Sequence, residues 1–482
     1  MDCNEGEGGD SMKTEERREA LVYMCGYLPG VSPEKSPVLS LAPVRFPNRM
    51  DGGDSWKDVC GGGCGFAMAI SECGKLITWG SADDEGQSYL VSGKHGETPE
   101  PFPLPTEASL LKAAAGWAHC VSVTEPGDVY SWGWKECVPS GKLIHDLAMV
   151  GIPQTDTIGN QISLPAEQVS PMPQGFNLTS GTVSHLDSKR AGEEVAKRRK
   201  VSSPKLESET STGGDDFFTL SPCLVTLGPG VRITSVAAGG RHTLALSVSD
   251  MGQVWGWGYG GEGQLGLGTR VKMVSSPHVI PCIEPSSSGK DRASVVSQGT
   301  KVPGSYVKEI ACGGRHSVVV TDAGALLTFG WGLYGQCGQG NTKDQLRPSY
   351  VNSLSNSRVK TISAGLWHTL CISVDGRVHA FGGNQFGQLG TGADEAETLP
   401  RPLDSPSLES KHAKVVSCGA RHSAILTEDG QLFSWGWNKY GQLGLGDSVD
   451  RNLPSQVSTD GCLPKNIACG WWHTLLLAER PA

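Results

Sequence analysis

The stretch Ala238-Gly239-Gly240-Arg241-His242-Thr243-Leu244-Ala245-Leu246 is one copy of a pattern that returns seven times along the chain. A small residue is followed by glycine, two variable residues, usually histidine, and then an apolar run. The seven glycines are Gly63, Gly116, Gly239, Gly313, Gly365, Gly419 and Gly470. About ten residues beyond comes a second pattern, an apolar run ending in aromatic-glycine. Examples are Leu76-Ile77-Thr78-Trp79-Gly80, Val129-Tyr130-Ser131-Trp132-Gly133 and Leu432-Phe433-Ser434-Trp435-Gly436. A repeat of this kind sets the architecture before any single motif does.

Adjacent glycines lie 53, 52, 54 and 51 residues apart at four steps, and 74 and 123 apart at the two steps that carry insertions. A period of about 50 residues made of short β-type runs predicts propeller blades and not a helical solenoid. Each unit reads as two strands joined by a tight turn at Asp375-Gly376, Asp429-Gly430 or Pro126-Gly127-Asp128. Asp-Gly supplies the positive φ angles that a two-residue hairpin needs. The last unit, Ile467 to Leu477, stops before any aromatic-glycine strand, whereas Leu21-Val22-Tyr23-Met24-Cys25-Gly26-Tyr27 has that pattern with no first strand before it. The spacing therefore predicts an all-β, seven-bladed propeller in which the N-terminal strand completes the C-terminal blade. Such closure removes exposed sheet edges.

The units resemble the repeats of the regulator of chromosome condensation family, whose members form seven-bladed β-propellers. Tyr440-Gly441-Gln442-Leu443-Gly444-Leu445-Gly446 and Gly263-Gln264-Leu265-Gly266-Leu267-Gly268 carry that resemblance. It covers residues 21 to about 134 and about 220 to 478. The expected organisation is an acidic disordered tail (1–20), the closing strand with blades 1 and 2 (21–136), a disordered insertion (137–218), and blades 3 to 7 (219–482).

Composition narrows the function. The 65 glycines suit a fold with many turns and close backbone approaches. A formal charge of -9 gives no global basic field for nucleic acid. No apolar run approaches the ~20 residues that span a bilayer, and no secretory signal is visible. Three of the fifteen cysteines, Cys312, Cys418 and Cys469, occupy the small-residue position before the signature glycine, where other blades have Ala115, Ala238, Ala364 or Gly62. Free cysteine serves as a small buried hydrophobe there. Cys60, Cys64 and Cys73 fit no metal-ligand spacing, so reduced thiols in an intracellular protein are expected.

Residues 1–20 hold seven Asp/Glu against three Lys/Arg, and residues 284–304 form a Ser/Gly-rich loop inside one blade. The insertion at 137–218 is several times longer than an ordinary connection. It contains Ser188-Lys189-Arg190 and Lys197-Arg198-Arg199-Lys200, followed by Ser203-Pro204. A tight basic cluster on a flexible segment is what the acidic pockets of an import receptor grip, which places the protein in the nucleus, with a cytoplasmic pool allowed. Phosphorylation of Ser203 would add negative charge beside that cluster.

Six of the twelve histidines, His119, His242, His316, His368, His422 and His473, share one repeat position. Each belongs to a different blade, so they do not converge as metal ligands must. The expected role is a ring that bonds nearby backbone and fixes the inner strand; Phe66 in the first blade shows that packing can fill it. No catalytic set stands out from the repeats, and no enzyme activity, metal or cofactor is expected. Gly256-Trp257-Gly258-Tyr259-Gly260-Gly261 matches the dinucleotide-binding pattern only formally, because it closes a strand and opens no helix. The residues before the histidines are Arg241, Arg315, Arg421, Trp367 and Trp472, with Trp117 and Trp471 one place earlier. Near one end of the inner strands they either line a partner-docking face, as Trp and Arg anchors do, or pack between blades with arginine stacked on aromatics.

The resemblance implies three functions. One is a nuclear scaffold that binds chromatin proteins, histones or regulatory proteins. The second is nucleotide exchange on a Ran-type small GTPase, as in the founding member. The third is UV-B perception, as in plant relatives whose blades read Gly-Trp-Arg-His. No blade here reads so: the chain has Gly-Gly-Arg-His (239–242, 313–316), Gly-Leu-Trp-His (365–368) and Gly-Ala-Arg-His (419–422). The founding member's basic tail is replaced by an acidic one, which makes direct DNA binding weak. The resulting expectation is a plant-type, non-enzymatic nuclear propeller, distinct from the photoreceptor.

Overall fold

A computed structural model describes residues 19–28, 37–48, 50, 54–63, 65–80, 98–117, 119–139, 220–247, 252–282 and 306–480. The chain opens with β1 (Ala20–Gly26) and β2 (Val38–Val44). Blade 1 follows as β3 (Trp56–Gly61), β4 (Ala67–Ser71), β5 (Leu76–Trp79) and β6 (Glu100–Pro101). Blade 2 is β7 (Leu110–Ala115), β8 (His119–Thr124), β9 (Val129–Gly133) and β10 (Leu220–Leu224). Blade 3 is β11 (Ile233–Ala238), β12 (His242–Ser247), β13 (Gln253–Gly260) and β14 (Val271–Ile280). Blade 4 is β15 (Val307–Cys312), β16 (His316–Thr321), β17 (Leu326–Gly330) and β18 (Gln345–Tyr350). Blade 5 is β19 (Val359–Ala364), β20 (His368–Ser373), β21 (Val378–Gly382) and β22 (Glu397–Pro402). Blade 6 is β23 (Ala413–Cys418), β24 (His422–Thr427), β25 (Leu432–Gly436) and β26 (Arg451–Val457), and the chain ends in β27 (Leu463–Cys469) and β28 (His473–Glu479).

The seven sheets are antiparallel and four-stranded. This corrects the two-strand reading of the unit. The histidine strand and the aromatic-glycine strand are the middle pair, and their apolar runs are conspicuous because both strands are buried on both faces. The residues before the signature glycine form an additional inner strand, and a polar outer strand follows the family phrase. Both were hidden because their burial is mixed. The Asp-Gly turns do join the middle strands, but over four residues (374–377 and 428–431) and with positive φ at the glycine alone, Gly376 at 80° and Gly430 at 79°. The two-residue hairpin expected at these sites is thereby corrected.

The ring closes as the termini predict. Strand β1 runs antiparallel to β28 from Ala20 opposite Glu479 to Gly26 opposite His473, and the seventh sheet has the order β2-β1-β28-β27. The inner strands contact one another all the way round, β27 meeting β3. The apolar core is divided among seven joints. Between blades 5 and 6, for instance, Leu370 and Ile372 pack on Val416, Ile425 and Trp435. Cys371, between those two on the same strand, points the opposite way onto Val318 and Val320 of blade 4. Alternate residues of one strand thus feed two joints, the period-2 geometry of a β-strand.

The outer strands form the rim. Each contains proline: Pro43, Pro101, Pro222, Pro277, Pro348, Pro400 with Pro402, and Pro454. Proline offers no N–H to an approaching strand, so every edge is blunted against sheet-to-sheet pairing.

Candidate functional site

Six of the seven signature glycines, with Gly62 from blade 1, line an axial cavity of about 110 Å³ together with Cys312, Cys418, Cys469 and Trp471. Small residues are required here because neighbouring backbones nearly touch. A Cβ on Gly419 would collide with the His422 ring and sit 2.6 Å from the Gly470 carbonyl. Four backbone N–H groups link successive blades at this end: Trp117 donates to Gly239, Gly240 to Gly313 and Gly314, Gly314 to Gly365 and Leu366, and Leu366 to Ala420, at 3.1–3.3 Å.

Directly behind them lies the histidine ring, and its bonding differs from expectation. Five of the six imidazoles reach a hydroxyl of the next blade instead of nearby backbone. His119 Nε2 meets Thr243 at 2.6 Å, His242 meets Ser317 at 2.9 Å, and His316 meets Thr369 at 2.8 Å. His368 meets Ser423 and His422 meets Thr474, both at 2.9 Å. Four of these hydroxyls spend their single hydrogen on a backbone carbonyl: Ser317 on Gln264, Thr369 on Gln336, Ser423 on Gln388 and Thr474 on Gln442. Nε2–H must therefore be the donor at those joints. Among the described residues the Nδ1 of His119, His242, His316, His368 and His422 has no partner, and burial holds the last four neutral, with pKa lowered to about 3.

Two joints depart from the rule, for reasons visible in blade 1. Phe66 replaces the histidine and packs in one cluster with Cys120, which occupies the hydroxyl position of blade 2. Ala67 replaces the hydroxyl residue, so His473 finds only the Gly61 carbonyl at 3.5 Å. An Asn466–Asp58 bond of 2.6 Å supplements that seventh joint.

The residues preceding the histidines lie on a belt of aromatics and arginines around the same end of the blades. Arg241 stacks on Trp134 and Tyr259 at 5.2 and 5.3 Å and forms an ion pair with Glu136. Arg315 lies over Trp331 at 5.0 Å and meets Glu262 at 3.2 Å. Arg421 is flanked by Phe386, Trp367 and Trp437 at 4.7, 5.3 and 5.3 Å. Trp117 packs on Trp134, Trp367 on Tyr334, and Trp472 on Tyr440, which in turn stacks on Tyr27. Trp117, Arg241, Arg315, Trp367, Arg421 and Trp471 are half-buried, while Trp472 is buried. Trp471 stands apart from the belt, at the axial cavity.

The belt follows a repeat-level rule that the sequence reading missed. The residue before each Gly-Gln-(Leu/Cys)-Gly phrase touches the residue before the next blade's histidine: Glu262 with Arg315, Tyr334 with Trp367, Phe386 with Arg421, and Tyr440 with Trp472. The signal was present in the family phrase itself, one position ahead of it. The basic residues Lys189, Arg190 and Lys197 to Lys200, together with Ser203, lie outside the described residues. Among the described residues, no group of three or more His, Cys, Asp or Glu is placed to hold a metal, and no helix is long and apolar enough to cross a membrane.

Residues 200–481 match the model of the RCC1-like domain. The chain belongs to the RCC1-like domain family. It is 32% identical over 424 residues to the ultraviolet-B receptor UVR8 of Arabidopsis thaliana, a match covering 85% of this chain and 84% of that one. It is also 35% identical over 252 residues to the E3 ubiquitin-protein ligase HERC2 of Homo sapiens, covering 52% of this chain but only 5% of the ligase. Among solved structures it resembles Prp20p of Saccharomyces cerevisiae, described with its binding properties to Gsp1p and histones, with a TM-score of 0.65 and 19% identity. That likeness covers 96% of this chain and 92% of Prp20p and concerns the fold alone.

Proposed function

We propose that this RCC1-like propeller is a non-enzymatic nuclear scaffold that binds chromatin proteins such as histones, or other regulatory proteins, in transcription or signalling. The observation that carries the reading is the belt: tryptophan, tyrosine and arginine, the residue types that anchor interfaces, are gathered half-buried on one end of a rigid ring. Their rings and guanidinium groups are held by neighbouring side chains, many from the adjacent blade, so little side-chain freedom is lost on docking. The basic cluster Lys197 to Lys200 supports nuclear entry through an import receptor. Replacing those four residues with alanine should move a fluorescent fusion out of the nucleus, and unchanged localisation would remove that support.

The second reading is nucleotide exchange on a Ran-type small GTPase. It is favoured by the fold likeness to Prp20p, whose structure is described with binding to Gsp1p and histones. A pull-down with purified histones, paired with nucleotide release from a Ran-type GTPase, separates the two. Histone recovery without release supports the scaffold, and robust release above background supports the exchange factor.

A further inference from the structure

We infer that Arg421 is the anchor of the docking belt, and that it receives an aspartate or glutamate carboxylate from a partner polypeptide. The inference rests on the scaffold reading and names the chemistry of its partner.

Three arginines occupy one repeat position, and two are already answered within the chain. Arg241 is paired with Glu136 and Arg315 with Glu262, each carboxylate coming from the preceding blade. At Arg421 the equivalent of Glu262 is Phe386, whose ring lies 4.7 Å from the guanidinium carbon. Trp367 and Trp437 complete the enclosure at 5.3 Å each. Among the described residues no carboxylate lies within salt-bridge distance of Arg421. Aromatic contacts stabilise the cation but accept none of its in-plane N–H bonds, which suit a carboxylate in forked geometry. Burial also draws the guanidinium below its ordinary pKa, as expected for a cation whose counter-charge is missing. The two filled sites identify the missing group as a carboxylate.

The test uses the full chain and fluorescently labelled hexaglutamate and hexaglutamine peptides at low salt. Wild type should bind hexaglutamate and not hexaglutamine, and Arg421→Gln should weaken binding at least tenfold. Phe386→Glu, which supplies an internal carboxylate as Glu262 does, should weaken it to a similar degree while unfolding no earlier than wild type. Equal binding by all three proteins, or none by wild type, overturns the inference. So does displacement by inorganic phosphate at equal concentration, or an Arg421-dependent dimer in sedimentation without peptide, which would name an anion or a second copy as occupant. Histone binding by the same variants separates the two proposals. If Trp117→Ala abolishes it but Arg421→Gln and Phe386→Glu do not, the anchor fails and the scaffold stands. If no belt variant changes it, both fail.

Discussion

A histidine heads the second strand in six of the seven blades and at four joints donates to a hydroxyl of the next blade, and its partner residue decides what substitution costs. Thr369 keeps its bond to the Gln336 carbonyl when His316 is lost, so only one neutral hydrogen bond disappears. His316→Phe should then lower the unfolding free energy by about 1 kcal/mol, and His316→Ala, which also leaves a cavity, by about 3 kcal/mol. Urea denaturation checks both values. The joint between blades 1 and 2 offers the converse. Phe66→His combined with Cys120→Thr would install the missing bond and should leave stability equal to wild type or about 1 kcal/mol higher, with either single change lower. The ring also sets a pH dependence. The six imidazoles titrate near the ordinary 6.5 when unfolded but at about 3 to 4 when buried. Below pH 6.5 the unfolded chain therefore binds more protons, and stability falls as pH drops toward 4. Thermal midpoints at pH 7.5 and 4.5 should show this fall, and His316→Phe should reduce it.

Among the elements, β1 carries the most consequence for its length. It fills the gap between β2 and β28 and contributes Val22 and Met24 to the joint with blade 1. Without it, β28 loses a seven-residue ladder and an edge is opened in the middle of a sheet. Deleting residues 1–27 should broaden or split the thermal transition and make the C-terminal strands susceptible to limited proteolysis. A single, unshifted transition would contradict the closure. The outer strands reach the joints at a few positions such as Ile280 and Val457, while their prolines withhold an N–H from any approaching strand.

At the scale of the whole molecule, the seven joints are alike in construction but unequal in strength. Blade 1 is the exception on both of its sides, lacking a histidine toward blade 2 and a hydroxyl toward blade 7. The belt is equally uneven, with two arginines neutralised internally and a third enclosed by rings. Its aromatic contacts mix Trp with Tyr and Phe, and no blade presents Gly-Trp-Arg-His. UV-B irradiation should accordingly leave the gel-filtration elution volume unchanged. A shift to later elution after irradiation would instead group this chain with its photoreceptor relative.

Blade number, ring closure and the middle strands were legible in the chain because their cause is local. Paired strands buried on both faces must be apolar throughout, and a turn with positive φ selects glycine. The inner and outer strands escaped because half-buried positions leave no clean alternation. The belt was legible only as a row of arginines and tryptophans before the histidines. For most of them the partner met from the preceding blade lies some thirty to fifty residues away in sequence: Phe386 and Arg421 are 35 positions apart in the chain but in contact in space. Sequence by itself determined the repeat and therefore the ring. The tertiary structure alone decided which histidine meets a hydroxyl and which arginine is left without its carboxylate, because both depend on the register between blades.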